Sequence, residues 1–229
     1  MNATIYSHKT IIGTADLQVG DGSMGCVFGQ FIPNDNYFKD IQKFVWDFWR
    51  TNKPDYTKWY SLRFNAQLDN GFFLFPEGGY TFDDSPDFPN DTKRIDIAGI
   101  DLNLLNFTKD TLLEPWYPID ISQKLSFEDE LAKEITPVKS AFSFLSAKSK
   151  ETHTLVGTKY STFAKYGPND DVLFAVKKQG EKSRLAIVHL TWTSRKKEHS
   201  TYFPATHFFH DFDDFSEKRM NADNKEWKT

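Results

Sequence analysis

The chain has 229 residues, 39% of them hydrophobic and 26% charged, with a mean hydropathy of −0.57; its 22 Phe, 9 Tyr and 6 Trp are too much ring surface to leave in water, which excludes disorder. No apolar stretch approaches the ~18 residues of a membrane helix, and the single cysteine, Cys26, excludes an internal disulfide framework and a cysteine-built zinc site. A net charge of −4 argues against a general nucleic-acid binder.

Met1–Thr10 carries no basic segment followed by an apolar one, so no secretory signal is read there and the expectation is a cytoplasmic protein. Thr14 to Val19 alternates and meets Gly20-Asp21-Gly22, which predicts a strand and a turn, with Cys26 to Ile32 returning as a second strand stopped by Pro33. Asn34, Asp35 and Asn36 offer caps for a helix from about Asn36 to Arg50. Tyr37, Ile41, Phe44, Val45, Phe48 and Trp49 fall on one stripe of that helix. Beyond Pro54, Trp59 to Leu68, the Asp69-Asn70-Gly71 turn and Phe72 to Phe75 predict a hairpin. Pro76-Glu77-Gly78-Gly79 reads as a turn into Tyr80 to Phe82, followed by a polar loop and a strand over Arg94 to Ile100.

Further on, Ser126 with Asp129 predicts a helix start, and Leu125, Phe127, Leu131 and Ile135 its buried side. Pro137 breaks that helix and opens another over Val138 to Ala147. A short helix is expected around Thr158 to Tyr166, ended by Gly167-Pro168. Asp171 to Val176 and Arg184 to Trp192 form a second hairpin. A short strand near Tyr202 and a helix from about Asp211 to Asn221 close the chain. These elements predict an α+β fold of antiparallel sheets with hairpins and packed helices.

The charge is uneven. Residues 1–124 hold 11 Lys+Arg against 17 Asp+Glu, a net of −6, and residues 125–229 hold 17 against 15, a net of +2. With Pro115 and Pro118 as punctuation, the expectation is two α+β halves: 1–124, β-rich with one long amphipathic helix, and 125–229, helices followed by a hairpin and a terminal helix.

Gly20-Asp21-Gly22-Ser23-Met24-Gly25-Cys26-Val27 matches a phosphate-cradling glycine pattern, but a dinucleotide loop must lead into a helix and a kinase loop needs partner motifs absent here. A structural turn is the better reading. His207 and His210, with Asp211, Asp213 and Asp214, have helical spacing for a metal; Asp211 equally suits a helix N-cap. Cys26 with a distant His189 lacks any local sign of an activated thiolate. No GxSxG elbow is present, and three glycosylation sequons mean nothing without a secretory signal. Two charge features remain: a basic turn, Arg195-Lys196-Lys197, and an acidic stretch of Glu77, Asp83, Asp84, Asp87 and Asp91. The acidic stretch is the candidate docking surface, because such charge steers encounter with a basic partner.

Asp170-Asp171-Val172-Leu173-Phe174, Leu185 to Trp192, Phe203-Pro204 and Phe215 to Met220 resemble the C-terminal part of small bacterial proteins encoded beside polymorphic toxins. These are the immunity proteins of contact-dependent inhibition, Rhs and type VI secretion systems. Gly13 to Leu17, Ser23-Met24-Gly25 and Phe28-Gly29 are similar to the same group. The resemblance implies stoichiometric blockade of a cognate toxin C-terminal domain, without catalysis, cofactor, metal, nucleic acid or membrane. A basic nuclease toxin would suit the acidic half. Two other readings stay open: a metal-dependent hydrolase using His207 and His210, and a small-molecule-binding module with a pocket between its halves.

Overall fold

Each of two units, Met1–Thr111 and Leu112–Thr229, is built on its own antiparallel sheet, and a computed structural model describes residues 1–51, 53–102, 112–136, 152–192 and 203–229. The fold is α+β, as the alternating and helical patterns predict. No helix among the described residues is long and apolar enough to cross a membrane.

The first unit carries six strands in the order β4-β1-β2-β3-β6-β5. They are β1 (Asn2–Ser7), β2 (Thr10–Val19), β3 (Val27–Pro33), β4 (Phe64–Leu68), β5 (Pro76–Asp83) and β6 (Lys93–Ile100). β1 escaped the sequence reading although Ala3, Ile5 and Tyr6 are buried along it. In β2, Ala15 and Leu17 point into the core while Thr14, Asp16 and Gln18 are exposed, the period-2 pattern of a half-buried strand, and a bulge at Ile12 turns that residue inward as well. The glycine loop joins β2 to β3, not a strand to a helix. Asp21 accepts hydrogen bonds from the Ser23 amide at 2.9 Å and hydroxyl at 2.6 Å. Gly25 lies at φ 60°, and a Cβ there would meet the Ile100 carbonyl at 2.1 Å, so this glycine serves a turn packed against β6.

The amphipathic helix is present as a π-helical turn, Tyr37–Ile41, running into α1 (Gln42–Arg50). Asn34, rather than Asn36, caps it through the amides of Asn36 at 3.0 Å and Tyr37 at 3.3 Å. Tyr37, Ile41 and Val45 enter the core and Phe44 and Phe48 pack against it, but Trp49 is exposed. The expected strand from Trp59 is corrected in its first part: Asp55 accepts from the Lys58 amide and starts α2 (Tyr56–Ser61) before the chain becomes extended at Phe64. The Asn-Gly turn forms, with Gly71 at φ 89°. Its returning arm, Phe72–Phe75, is buried but pairs with β4 only through one bridge, Gln67 to Phe73. Pro76 to Gly79 is a bulge inside β5 instead of a turn before it.

The core is a chain of rings. Phe82 stands 4.9 Å from Phe64 and 5.1 Å from Phe31, and Trp59 stands 4.3 Å from Phe48, centroid to centroid. The sheet curls around them so far that the Tyr80 hydroxyl, on β5, accepts from the Ala66 amide on β4 at 3.1 Å. The indole N–H groups of Trp59 and Trp49 donate to the β5 carbonyls of Tyr80 and Phe82 at 3.2 and 2.7 Å.

The second unit orders its strands β11-β10-β9-β8-β7. They are β7 (Trp116–Tyr117), β8 (Lys159–Tyr166), β9 (Asp171–Lys177), β10 (Arg184–His189) and β11 (Thr206–Phe209). The β9–β10 hairpin is the one expected, except that β10 ends at His189 and not at Trp192. The helix expected at Thr158 to Tyr166 is corrected to β8: its aromatic and β-branched side chains, Tyr160, Thr162 and Phe163, suit a strand, and it pairs with β9 from Lys159 to Lys165 with a bulge at Phe163, so Gly167 and Pro168 belong to a strand connection rather than a helix end. α3 (Ile121–Ile135) begins five residues before Ser126, because Asp120 and Gln123 form a capping box. A joint near residue 124 would cut this helix; the units divide after Thr111, and Trp116 and Tyr117 pair with β8. The helix expected over Val138 to Ala147, the strand near Tyr202 and the basic turn Arg195-Lys196-Lys197 lie outside the described residues.

α3 covers one sheet face, where Leu131 and Ile135 pack with Val172, Phe174, Val176, Ala186 and Val188. Lys124, buried on α3, pairs with Glu128 and donates to Ser161 of β8 at 2.7 Å. The C-terminal segment, α4 (Phe212–Phe215), a π-helical turn Ser216–Met220 and α5 (Asn221–Trp227), buries Phe212, Phe215 and Met220. Phe215 meets Trp116 of β7 at 5.0 Å and Phe209 of β11 at 5.4 Å.

His153 gives this unit a pH dependence. The ring is buried; Nε2 donates to the Pro204 carbonyl at 2.9 Å and Nδ1 accepts from the Leu155 amide at 3.2 Å, so the neutral tautomer uses both nitrogens. Burial, working against the Pro204 carbonyl and the Glu134 charge, holds the imidazole below its ordinary value. The unfolded chain therefore takes the proton first: this contribution is complete above about pH 6.5 and declines as the pH falls below it. Denaturation midpoints taken on either side of that pH will separate in the wild-type chain and converge in His153→Gln.

Candidate partner-binding site

The five acidic residues do not form one surface. Asp83, the last residue of β5, pairs in register with Arg94 of β6 and is exposed. Asp84 turns inward, which corrects its assignment as a docking residue. Its Oδ2 accepts from the Tyr37 hydroxyl at 2.7 Å and the Gln42 amide at 3.0 Å, and its Oδ1 faces the Lys93 ammonium at 3.1 Å. The side chains of Asp84 and Lys93 are 0% and 6% exposed. Burial alone would raise the Asp84 carboxyl, but the neighbouring side chains of Tyr37, Gln42 and Trp46, and after them Lys93, outweigh it and hold the group below the ordinary carboxylate value. The same contact, with burial as the larger cause, pushes the Tyr37 phenol well above its usual range. Glu77 is half-buried at the other end of β5, six residues from Asp83 and so roughly 20 Å away along the strand.

Asp87 and Asp91 remain exposed on the loop between β5 and β6. Between them Phe88 is 63% exposed, a residue the charge-based reading passed over. The loop is held from within: the Phe88 amide donates to the Ser85 carbonyl at 3.1 Å and the Asp91 amide to the Phe88 carbonyl at 3.2 Å. Lys93 donates to the Pro89 carbonyl at 3.0 Å as well as pairing with Asp84. One buried ammonium thus holds the start of the loop, at Asp84, and its middle, at Pro89. The arrangement presents an apolar ring flanked by carboxylates on a loop whose conformation is set in advance.

In the second unit, His207 lies on β11 with its ring 4.8 Å from Phe209, and His210 follows the strand; both are exposed. Asp211 caps α4 by accepting from the Asp214 amide at 2.9 Å. Asp214 accepts from the His210 amide at 2.9 Å and pairs with Lys218, and the Lys218 contact is the main reason its carboxyl titrates low. The acids are used as caps. Among the described residues no three His, Cys, Asp or Glu side chains come together to hold a metal.

One polar cluster was not foreseen. Asp171 and His189 are cross-strand partners on β9 and β10, with Nδ1 2.8 Å from Oδ1. The other oxygen of Asp171 meets Arg219 at 3.4 Å; Arg219 also donates to Asp223 at 2.8 Å, and Asp223 accepts from the buried Trp116 indole at 2.8 Å. This chain of charges ties the C-terminal segment to the sheet and fixes the His189 ring. Its signal in the sequence is the Asp171–His189 register, legible only once the hairpin is aligned. Neither a protein-family model, nor a curated protein, nor a solved structure matches this chain.

Proposed function

We propose that the chain is an immunity protein of the cytoplasm, binding a cognate bacterial toxin domain and neutralising it by stoichiometric blockade. The observation that carries this reading is Phe88, exposed between Asp87 and Asp91 on a loop clasped by the buried Lys93–Asp84 pair. Binding energy concentrates in aromatic anchors, surrounding charge governs encounter and selectivity, and a loop ordered beforehand loses little entropy on docking. The resemblance of the β9, β10 and C-terminal segments to toxin-linked proteins supports the same reading. An acidic rim suits a basic active site such as that of a nuclease toxin.

The test is binding to the toxin domain encoded by the neighbouring reading frame. A one-to-one complex that abolishes toxicity is expected. Phe88→Ala should weaken it roughly tenfold or more. Reversing Asp83, Asp87 and Asp91 to lysine should mainly slow association and reduce its salt dependence. A toxin domain that stays fully active in excess of this protein would overturn the reading.

A further inference from the structure

Lys93 is a costly residue at its position. It opens β6 on the face that buries Ile95 and Ile97, where the alternation calls for a third apolar side chain. Its partner Asp84 is buried with it. A buried ion pair seldom repays the removal of two charges from water, and an apolar pair of similar size generally stabilises a fold as well or better. Stability therefore does not account for the pair.

The surroundings of the two side chains point to the loop between β5 and β6. The ammonium is shared: it faces Asp84 where the loop begins and donates to the carbonyl of Pro89, the residue after Phe88. The carboxylate is fixed in turn by the helix. Tyr37 and Gln42 stand five residues apart, which in an α-helix would turn them roughly 140° away from each other. The π-helical turn Tyr37–Ile41, closed by the Gln42 amide on the Tyr37 carbonyl, lets both side chains reach the same Asp84 oxygen. Such turns are rare inside helices and occur frequently at functional sites. An apolar pair could fill the same volume but could not hold a carbonyl in the middle of the loop. We propose that the Asp84–Lys93 pair, with the π turn behind it, is a positioning device that sets the loop for Phe88 to bind, and is not kept for the stability of the sheet. This rests on the reading of Phe88 as the partner-binding anchor.

Asp84→Leu/Lys93→Met is the deciding chain. Its denaturation midpoint should stay near that of wild type, while exchange of the Phe88 and Asp91 amides, which are hydrogen-bonded within the loop, rises at least about tenfold. Affinity for the toxin domain of the neighbouring reading frame should fall about tenfold, the cost of ordering the loop on docking. A pair with a merely structural role would weaken binding equally in every background. A positioning pair acts through Phe88, so the same two changes should cost little in a chain that already carries Phe88→Ala. If the Leu/Met chain does not fold, Asp84→Asn/Lys93→Met keeps an acceptor for Tyr37 and Gln42 and carries the same measurements. Loop exchange that stays at the wild-type rate overturns the proposal, whatever the toxin does. Wild-type affinity in the double variant, with Phe88→Ala weakened, overturns it and leaves the immunity reading standing. A wild-type chain that binds no toxin overturns that reading instead, and loop exchange then decides the positioning role alone.

Discussion

Lys93→Ala will destabilise the first unit by about 3–5 kcal/mol, the cost of leaving a buried charge without its partner. The Asp84 side chain is fully buried, and Lys93 is the cation facing it at 3.1 Å. The same change frees the Pro89 carbonyl and with it the loop that carries Phe88. The sign with pH follows from the carboxyl's depressed value. In the wild-type chain its stabilisation is present above an unfolded value near 3.8 and is lost as the pH drops through the lower folded value. Without Lys93 the buried carboxylate is the strained form and protonation relieves it, so the gap between variant and wild type should narrow on acidification. Denaturant titrations over a pH series will show this, with hydrogen exchange of β5 and β6 amides locating the loss. A gap that widens at low pH would contradict the clasp, and Asp84→Leu/Lys93→Met, which removes both charges, should recover much of the lost stability.

Phe215→Ala is the counterpart in the second unit, with an expected loss of about 3–5 kcal/mol from cavity formation. The ring is 0% exposed and contacts Trp116, Phe209 and Phe212 edge-on, the last at 5.7 Å. Removing it empties the space between one sheet face and the C-terminal segment, while α3 packs against a different group of residues, Val172, Phe174 and Val188. Exchange protection should therefore fall first in α4 and α5 and only later in α3. Phe215→Leu should retain most of the stability. Uniform loss of protection across α3 and the terminal helices would mean that the two faces do not melt separately.

What could be read from the chain alone follows the range of the interactions concerned. The helix through Tyr37, Ile41 and Val45 and the β9–β10 hairpin announce themselves through local periodicity, and Asp211 declares its cap within four residues. The short run of β8 before Gly167-Pro168 fits a helix end as well as a strand, and only pairing with β9 decides between them. For α3 the sequence holds two cap patterns, Ser126 with Asp129 and Asp120 with Gln123, and the chain uses the earlier one. Asp84 is the instructive miss. Composition makes it one acid among several, yet its fate depends on Tyr37 and Gln42, 47 and 42 residues away. Phe88 has no local signal either: its exposure is a property of the loop conformation, which a residue of the next strand, Lys93, helps to hold through the Pro89 carbonyl.

The two indole contacts on β5 restrict how this protein can meet another. A strand at the rim of a sheet normally offers a row of unused amides and carbonyls that any extended segment can join, a route to recognition and also to runaway aggregation. On β5 the carbonyls of Tyr80 and Phe82 are already taken by Trp59 and Trp49. On β4 the amides of Ala66 and Leu68 are taken by the Tyr80 hydroxyl and the Phe72 carbonyl. At these positions an incoming strand would have to displace an indole, a hydroxyl or a carbonyl, which disfavours templated addition there on both rims. The helices that bring Trp49 and Trp59 to β5 also cover the sheet beneath them.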